Sequence, residues 1–430
     1  MPNQLQNKYH VGLLLAMLAV CAPAGAQTAT QINDWSFSGY GTVGYSDVLG
    51  DAPYTFVRDL SQKAPVTPGA GSWNTDSRLG LQAAYRFSPK TDAVVQAVLR
   101  SKAGATAENS IEWAYVSHRP TENLNLRFGR VGIDDFMLSD YRNLGYAQTS
   151  VRPNWEFYGF MPVYSLDGLD ATYIHITDAA RWSFKAQAGR TQAAVPIVSG
   201  DIYDFVGDHF FDMTAVRETG PWRLKAGYAQ MTITNEAPLA ALTQSLIQLG
   251  SMAIPGVSAE AADLAHQVSF QGAKISYLAF GASYDDGIWL AQAELSHVTS
   301  NRLVMTQGTN GYLQVGRRIG VLTPFVGVSG FHAAYPAASV QSDWASLLGN
   351  DPSVALLQAG ALRAVNSTRV DQNTLSLGLR WDIHPQVAIK LQWDSISVKP
   401  NGFGLWSPAS NASFAAERIN LVTSSLDWVF

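Results

Sequence analysis

The chain has a single cysteine in 430 residues, Cys21, and it lies in the N-terminal segment expected to be removed on export. The rest can form no disulfide and no thiolate metal site. Charged residues are scarce, 15% of the chain where ordinary globular domains carry about 25%. The formal net charge is −5, and no basic tract suits nucleic acid. Beyond residue 26 no apolar run approaches the ~18–20 residues of a membrane-spanning helix. There is no HExxH or GxSxG, and His118, His175, His209, His266, His297, His332 and His384 are too scattered for metal-ligand spacing. Neither a metal nor a cofactor is therefore expected.

The N-terminus carries Lys8 and His10, an apolar run over 11–22, and Ala24-Gly25-Ala26. That order reads as a secretory signal peptide over 1–26, with a mature chain over 27–430. Val20 before Cys21 is a poor match to a lipoprotein signal, and the run is too short to anchor in a bilayer.

Period-2 alternation fills the mature chain. In 35–45, Trp35, Phe37, Val43 and Tyr45 share one face; in 77–87, Leu79, Leu81, Ala83, Tyr85 and Phe87 do. In 110–119 the same pattern places Ile111, Trp113 and Tyr115 outward. Further segments run over 92–100, 124–130, 166–177, 181–190, 209–218, 222–233, 271–284, 288–298, 311–318, 322–333, 373–383, 387–398 and 417–430. Short turns such as Ser88-Pro89-Lys90, Thr219-Gly220-Pro221 and Asp285-Asp286-Gly287 alternate with longer connections. The chain ends with Val422, Leu426, Trp428 and Phe430 on one face, and Thr423, Ser425 and Asp427 on the other.

Strands apolar on one side and polar on the other suit a wall between lipid and water. Outward aromatics such as Trp35, Tyr85, Trp182, Trp222, Trp381 and Trp428 fall near turns, as in interfacial girdles. A soluble β-sandwich gives no reason for that clustering. The expected fold is all-β: one transmembrane antiparallel β-barrel of about 16 strands, or 18 with a missed hairpin, with short periplasmic turns and long external loops. Four loops are long, 46–76, 132–165, 235–267 and 336–370, and the last two hold helix-like stretches at 238–249 and 344–364. Connections this long usually carry function or lack order.

The signal peptide, the first strand Phe37-Ser38-Gly39-Tyr40-Gly41, the turn-loop rhythm and the terminal Phe430 together resemble a Gram-negative general porin. The resemblance is architectural and spans nearly the whole mature chain. It implies an outer-membrane location, contact with outer-membrane lipid, a homotrimer, and a third external loop folded into the lumen. It also implies that Trp428 and Phe430 form the signal read by the barrel-assembly machinery. The third external loop is 132–165, but its segment Leu138-Ser139-Asp140-Tyr141-Arg142-Asn143-Leu144-Gly145-Tyr146 departs from the acidic motif of enterobacterial porins.

Residues opposite each apolar face point inward: Arg78, Arg100, Arg127, Lys185, Lys225, Arg380 and Lys390. The loop acids Asp134, Asp135, Asp140 and Glu156 are expected to face them, giving a transverse field that sorts ions and dipolar solutes. Arg142 and Arg152 are candidates for pinning the loop to the wall. Tyr141, Tyr146, Trp155 and Tyr158 suit loop packing or a surface for sugars. Gly39-Tyr40-Gly41-Thr42-Val43-Gly44 spells GxGxxG but lies within a strand, where a dinucleotide site needs a strand-to-helix turn. The expected function is passive diffusion of small hydrophilic solutes and ions, without catalysis. The alternatives are a channel preferring anions or carboxylates and, less favoured, an outer-membrane barrel enzyme.

Overall fold

In a computed structural model of the chain, residues 30–32, 34–51, 53–197, 201–237, 239–408 and 414–430 are described. The expected signal peptide, 1–26, lies outside the described residues. Sixteen antiparallel strands form one closed barrel. They begin with β1 (Trp35–Leu49), β2 (Arg78–Ser88), β3 (Thr91–Arg100), β4 (Ile111–His118), β5 (Leu124–Gly132) and β6 (Ser165–Ile176). Next come β7 (Arg181–Pro196), β8 (Ile202–Thr219), β9 (Trp222–Ile233), β10 (Lys274–Asp285) and β11 (Trp289–Ser300). The set ends with β12 (Gly308–Arg317), β13 (Leu322–Ala333), β14 (Val370–His384), β15 (Val387–Phe403) and β16 (Glu417–Val429).

Closure comes from β16 against β1, with Trp428 opposite Gly41 and Asp427 opposite Thr42. Gly39 and Phe430 exchange backbone hydrogen bonds of 2.9 and 3.0 Å. The first-strand glycines have a steric reason. A Cβ on Gly39 would strike the Phe430 ring, and one on Gly41 the Trp428 ring. Glycine here lets the last strand lay its aromatics on the first.

The alternation sorts side chains as the sequence implies. Phe128 pairs with Leu169, Phe280 with Leu295 and Leu313 with Val328, and all six are exposed. Thr423, Ser425 and Asp427, on the opposite face of β16, are buried. The outward apolar belt is continuous across the strands. Soluble monomers rarely expose apolar patches beyond a few hundred Å², whereas hydrocarbon around the belt removes that cost.

One face assignment is corrected. Trp113 and Tyr115 point inward, not outward. Gln96 pairs with Trp113 but Ala97 pairs with Ile111, so β4 carries a bulge at Glu112. A bulge inserts one extra residue and exchanges the faces beyond it. Trp113 therefore joins Gln82 and Gln96 at an internal cavity, and the Arg127 guanidinium lies over the Tyr115 ring at 5.0 Å. A second irregularity, between Asp208 and Phe211, lies inside β8, where His209 adopts φ 52°. The strand continues through it and begins at Ile202.

Short turns sit at one barrel end and long loops at the other. Packing inside the barrel comes mainly from the 132–165 loop. Phe136, Phe157, Tyr158 and Phe160 pack against Phe331 and Tyr277 of the wall, and Trp155 against Phe56 and Trp406 of other loops. A second apolar core lies among the loop helices: α2 (Ala240–Gly250), α3 (Ser258–Val268), α4 (Trp344–Leu347) and α5 (Pro352–Asn366). (α1, Trp155–Tyr158, is the short helix of the 132–165 loop.) The stretch expected as one helix over 344–364 is two. Gly349 and Asn350 take φ of 76° and 61°, and Asp351 caps Ser353 N with Pro352 in the first turn. Proline suits a first turn and cannot continue an earlier one.

Candidate functional site: the loop within the lumen

Every strand presents its polar face to the interior, so a loop entering there meets a ring of hydrogen-bonding groups. The loop 132–165 bonds to much of that ring. At its root, Asp134 takes ion pairs from Lys185 of β7 and Lys225 of β9, at 2.9 and 2.8 Å. Lys225 also donates to Phe136 O, and Gln187 Oε1 accepts from Asp134 N. Burial alone would push the Asp134 carboxyl up, but the two ammonium groups outweigh it and hold it below the usual range.

Farther along, Asn143 donates to Glu112 of β4 at 2.8 Å, and Arg78 of β2 donates to Asn143 O at 2.5 Å. Lys390 of β15 is fully buried; it donates to Gly145 O and Ser150 O and pairs with Asp427 of β16 at 3.2 Å. Arg380 of β14 donates to Tyr146 O and Gln148 O, with its guanidinium 4.8 Å from the Tyr146 ring. The Tyr146 hydroxyl reaches Pro385 O at 2.6 Å.

Arg152 is the strongest single tie. It donates to both carboxylate oxygens of Asp76 at 3.0 and 2.6 Å, and to Thr423 Oγ1 at 2.6 Å. It also lies 3.6 Å from the Asp394 carboxylate. Burial would raise the Asp76 carboxyl, but Arg152, with Arg58 and Arg78, outweighs it and holds the group at about 2. Arg142 instead staples the loop to itself, donating to the carbonyls of Tyr158, Met161 and Val163 and lying over the Tyr164 ring.

The remaining sequence candidates fall in different surroundings. Glu156 meets no cation among the described residues; it accepts from Ser329, Gln372 and Thr374, and burial raises its carboxyl. Asp135 is buried against Asp212 of β8, and neither carboxylate has another hydrogen-bond donor among the described residues. Asp140 is exposed. Arg100 pairs with Asp59 at 3.1 Å, and Arg127 donates to Asp170 at 3.0 and 2.8 Å. Most acids therefore touch a cation or a neutral donor directly, and little uncompensated charge faces open space.

Sequence reasoning did not single out Asp59, Asp76, Glu112, Asp212, Glu294, Asp394 or Asp427 as site residues. Glu294 accepts from Met137 N and from the hydroxyls of Tyr158 and Tyr312. The wall residues among them were findable as polar side chains on the inward face of an alternating strand. Asp59 and Asp76 lie in irregular chain, where no periodicity assigns a direction.

A cavity of about 300 Å³ opens between the loop and β1–β4 at the short-turn end, lined by Tyr40, Gln82, Gln96, Glu112, Trp113 and Tyr141 among others. The constellation holds no metal-ligating cluster among the described residues.

No protein-family model matches the chain, and no curated protein matches it. Solved structures with a similar fold do. An anion-selective porin from Comamonas acidovorans is 12% identical over 92% of this chain and 99% of its own, at a TM-score of 0.48. Salmonella typhi OmpF, solved with daunomycin, is 12% identical over 93% and 99%, at 0.49. The outer membrane channel DcaP of Acinetobacter baumannii is 10% identical over 94% and 100%, at 0.48.

Proposed function

We propose that the chain is an outer-membrane channel through which small hydrophilic solutes and ions diffuse passively, past a constriction formed by the loop 132–165. The observation that carries this reading is the pairing of an outward apolar belt with an interior of polar groups bonded to that loop on many sides. A lipid-facing wall around a polar interior is the construction of a water-conducting barrel. The loop's bonds to β2, β4, β7, β9, β11, β14, β15 and β16 leave limited room beside it, so the channel is narrow.

In this reading Arg78, Arg100, Arg127, Lys185, Lys225, Arg380 and Lys390 line the passage with Asp134, Asp135, Asp140 and Glu156. They serve as much to hold the loops as to select ions. Their pairing disfavours strong anion selectivity, since Arg100 meets Asp59, Arg127 meets Asp170 and Lys390 meets Asp427. The same reading includes export by the 1–26 segment, assembly through Trp428 and Phe430, and a homotrimer in outer-membrane lipid.

Liposome swelling tests it. Proteoliposomes should admit a pentose faster than a hexose and exclude a trisaccharide. Equal rates for all three, or no swelling with folded protein, would overturn the narrow-channel reading.

A further inference from the structure

We infer that the cavity beneath the 132–165 loop is a binding site for a neutral polyhydroxylated solute, of the size and chemistry of a monosaccharide. The inference deepens the channel reading and rests on it for the solute's route to the site.

Four features of the cavity converge. Its volume, about 300 Å³, lies at the small end of ligand pockets, about 300–1,000 Å³. One wall is aromatic: the Tyr40 ring lies across Gly80 of the neighbouring strand, so closely that a Gly80 Cβ would strike three of its carbons. Glycine beneath one face of that ring leaves the other for the cavity. Trp113 and Tyr141 add two more aromatic side chains, and Trp113 packs against Gly132, again where a Cβ would be crowded. The C–H face of a sugar ring is apolar and suits such surfaces.

The polar wall is planar and divided between donors and acceptors. Gln96 Nε2 donates to Gln82 Oε1 at 3.0 Å. That bond fixes both amides and leaves the Gln82 amino group and the Gln96 carbonyl without another partner among the described residues. The Glu112 carboxylate is held by Asn143 at 2.8 Å. Adjacent hydroxyls of a sugar can engage such fixed planar groups in pairs.

Charge decides the class. Glu112 is offset by Arg100, whose Nε lies 3.8 Å away, and the Arg142 guanidinium donates to three loop carbonyls. Asp140 and Arg142 also line the cavity, one carboxylate beside one guanidinium, so the charges of the lining balance and favour neither an anion nor a cation. The bulge at Glu112 creates the site, because it turns Glu112 and Trp113 to the same side.

The test is equilibrium dialysis of the full-length protein in detergent micelles against radiolabelled D-glucose, with gluconate and putrescine as competitors. Binding should saturate, and unlabelled glucose should compete while gluconate and putrescine do not. The double variant Gln82→Ala/Gln96→Ala should bind about tenfold more weakly while keeping the heat-modifiable migration of a folded barrel. Trp113→Leu should weaken binding independently. No saturable binding, unchanged affinity in both variants, or displacement by gluconate or putrescine would overturn the inference. Saturable binding without bilayer currents would remove the channel reading and keep the site. Currents without binding would remove the site and keep the channel.

Discussion

Replacing Arg152 by alanine should release the 132–165 loop from the wall while leaving the barrel intact. Asp76 is fully buried and takes two hydrogen bonds from Arg152. Removing one partner of a buried ion pair costs about 3–5 kcal/mol, because the other charge is left without compensation. Here Asp76 would keep, among the described residues, only Arg58, at 3.9 Å, and the Ser46 hydroxyl, and Asp394 would lose its nearest cation, so the lower end of that range applies. The cost falls on the loop, since the strands keep their own ladders. It should raise the loop's opening equilibrium by roughly 10². Hydrogen exchange of 145–158, corrected for intrinsic rates, measures that factor directly. Single-channel recording should show a larger, noisier conductance. Arg152→Lys keeps the charge but not the two-pronged geometry, so it should fall between the two. Unchanged protection and unchanged conductance in Arg152→Ala would refute the view that this residue holds the constriction.

Acid and alkali should loosen the same loop by different groups. Asp76 is held at about 2, so its tie is complete above about pH 4 and is lost as pH falls through about 2. Asp135 is raised to about 6, chiefly by burial and further by the Asp134 charge, against the neighbouring Asp212 carboxyl and the pull of Lys225. Its contribution is therefore complete below about pH 4 and lost as pH rises through about 6. Loop protection should peak near pH 4–5, and Asp135→Asn should remove the loss on the alkaline side; a flat profile in the unmodified protein contradicts both assignments. Trp344 is fully buried among the loop helices, with its Nε1 donating to Glu260 at 2.8 Å. Trp344→Ala should cost that cap about 3–5 kcal/mol and expose 240–268 and 344–366 to protease; cleavage as slow as in the unmodified protein would show that the cap does not depend on this side chain. Gly41→Val should push Trp428 off the first strand and lower the yield of heat-modifiable barrel, and normal yield would show that the seam tolerates a Cβ.

Strand number and turn positions were legible because alternation and turn chemistry are local properties. The pattern in 322–333 and 222–233 matches β13 and β9 end to end. Faces failed where alternation itself is interrupted. Nothing in the spelling of Ser110-Ile111-Glu112-Trp113 announces a bulge, since the extra residue depends on how β3 pairs. The start of β8 was missed because His209 interrupts the strand without ending it. Inward basic residues could be named from the opposite face of each strand, but their partners could not. Arg152 meets Asp76 and Thr423 only after the barrel closes and the loop folds inside. Such contacts between irregular segments leave no period to read. The helix α3 was missed although Ala261, Leu264, Ala265 and Val268 recur at helical spacing and are buried.

We propose that the barrel conducts through an interior narrowed by its third external loop, 132–165. Planar-bilayer recording of the folded protein, with reversal potential under a salt gradient, tests it most directly. Small stepwise openings with a reversal potential near zero are expected, because the lumen charges are largely paired. Absence of openings from folded protein would contradict the claim and leave a sealed barrel, and a strongly anion-selective potential would contradict the charge pairing on which the narrow, weakly selective passage rests.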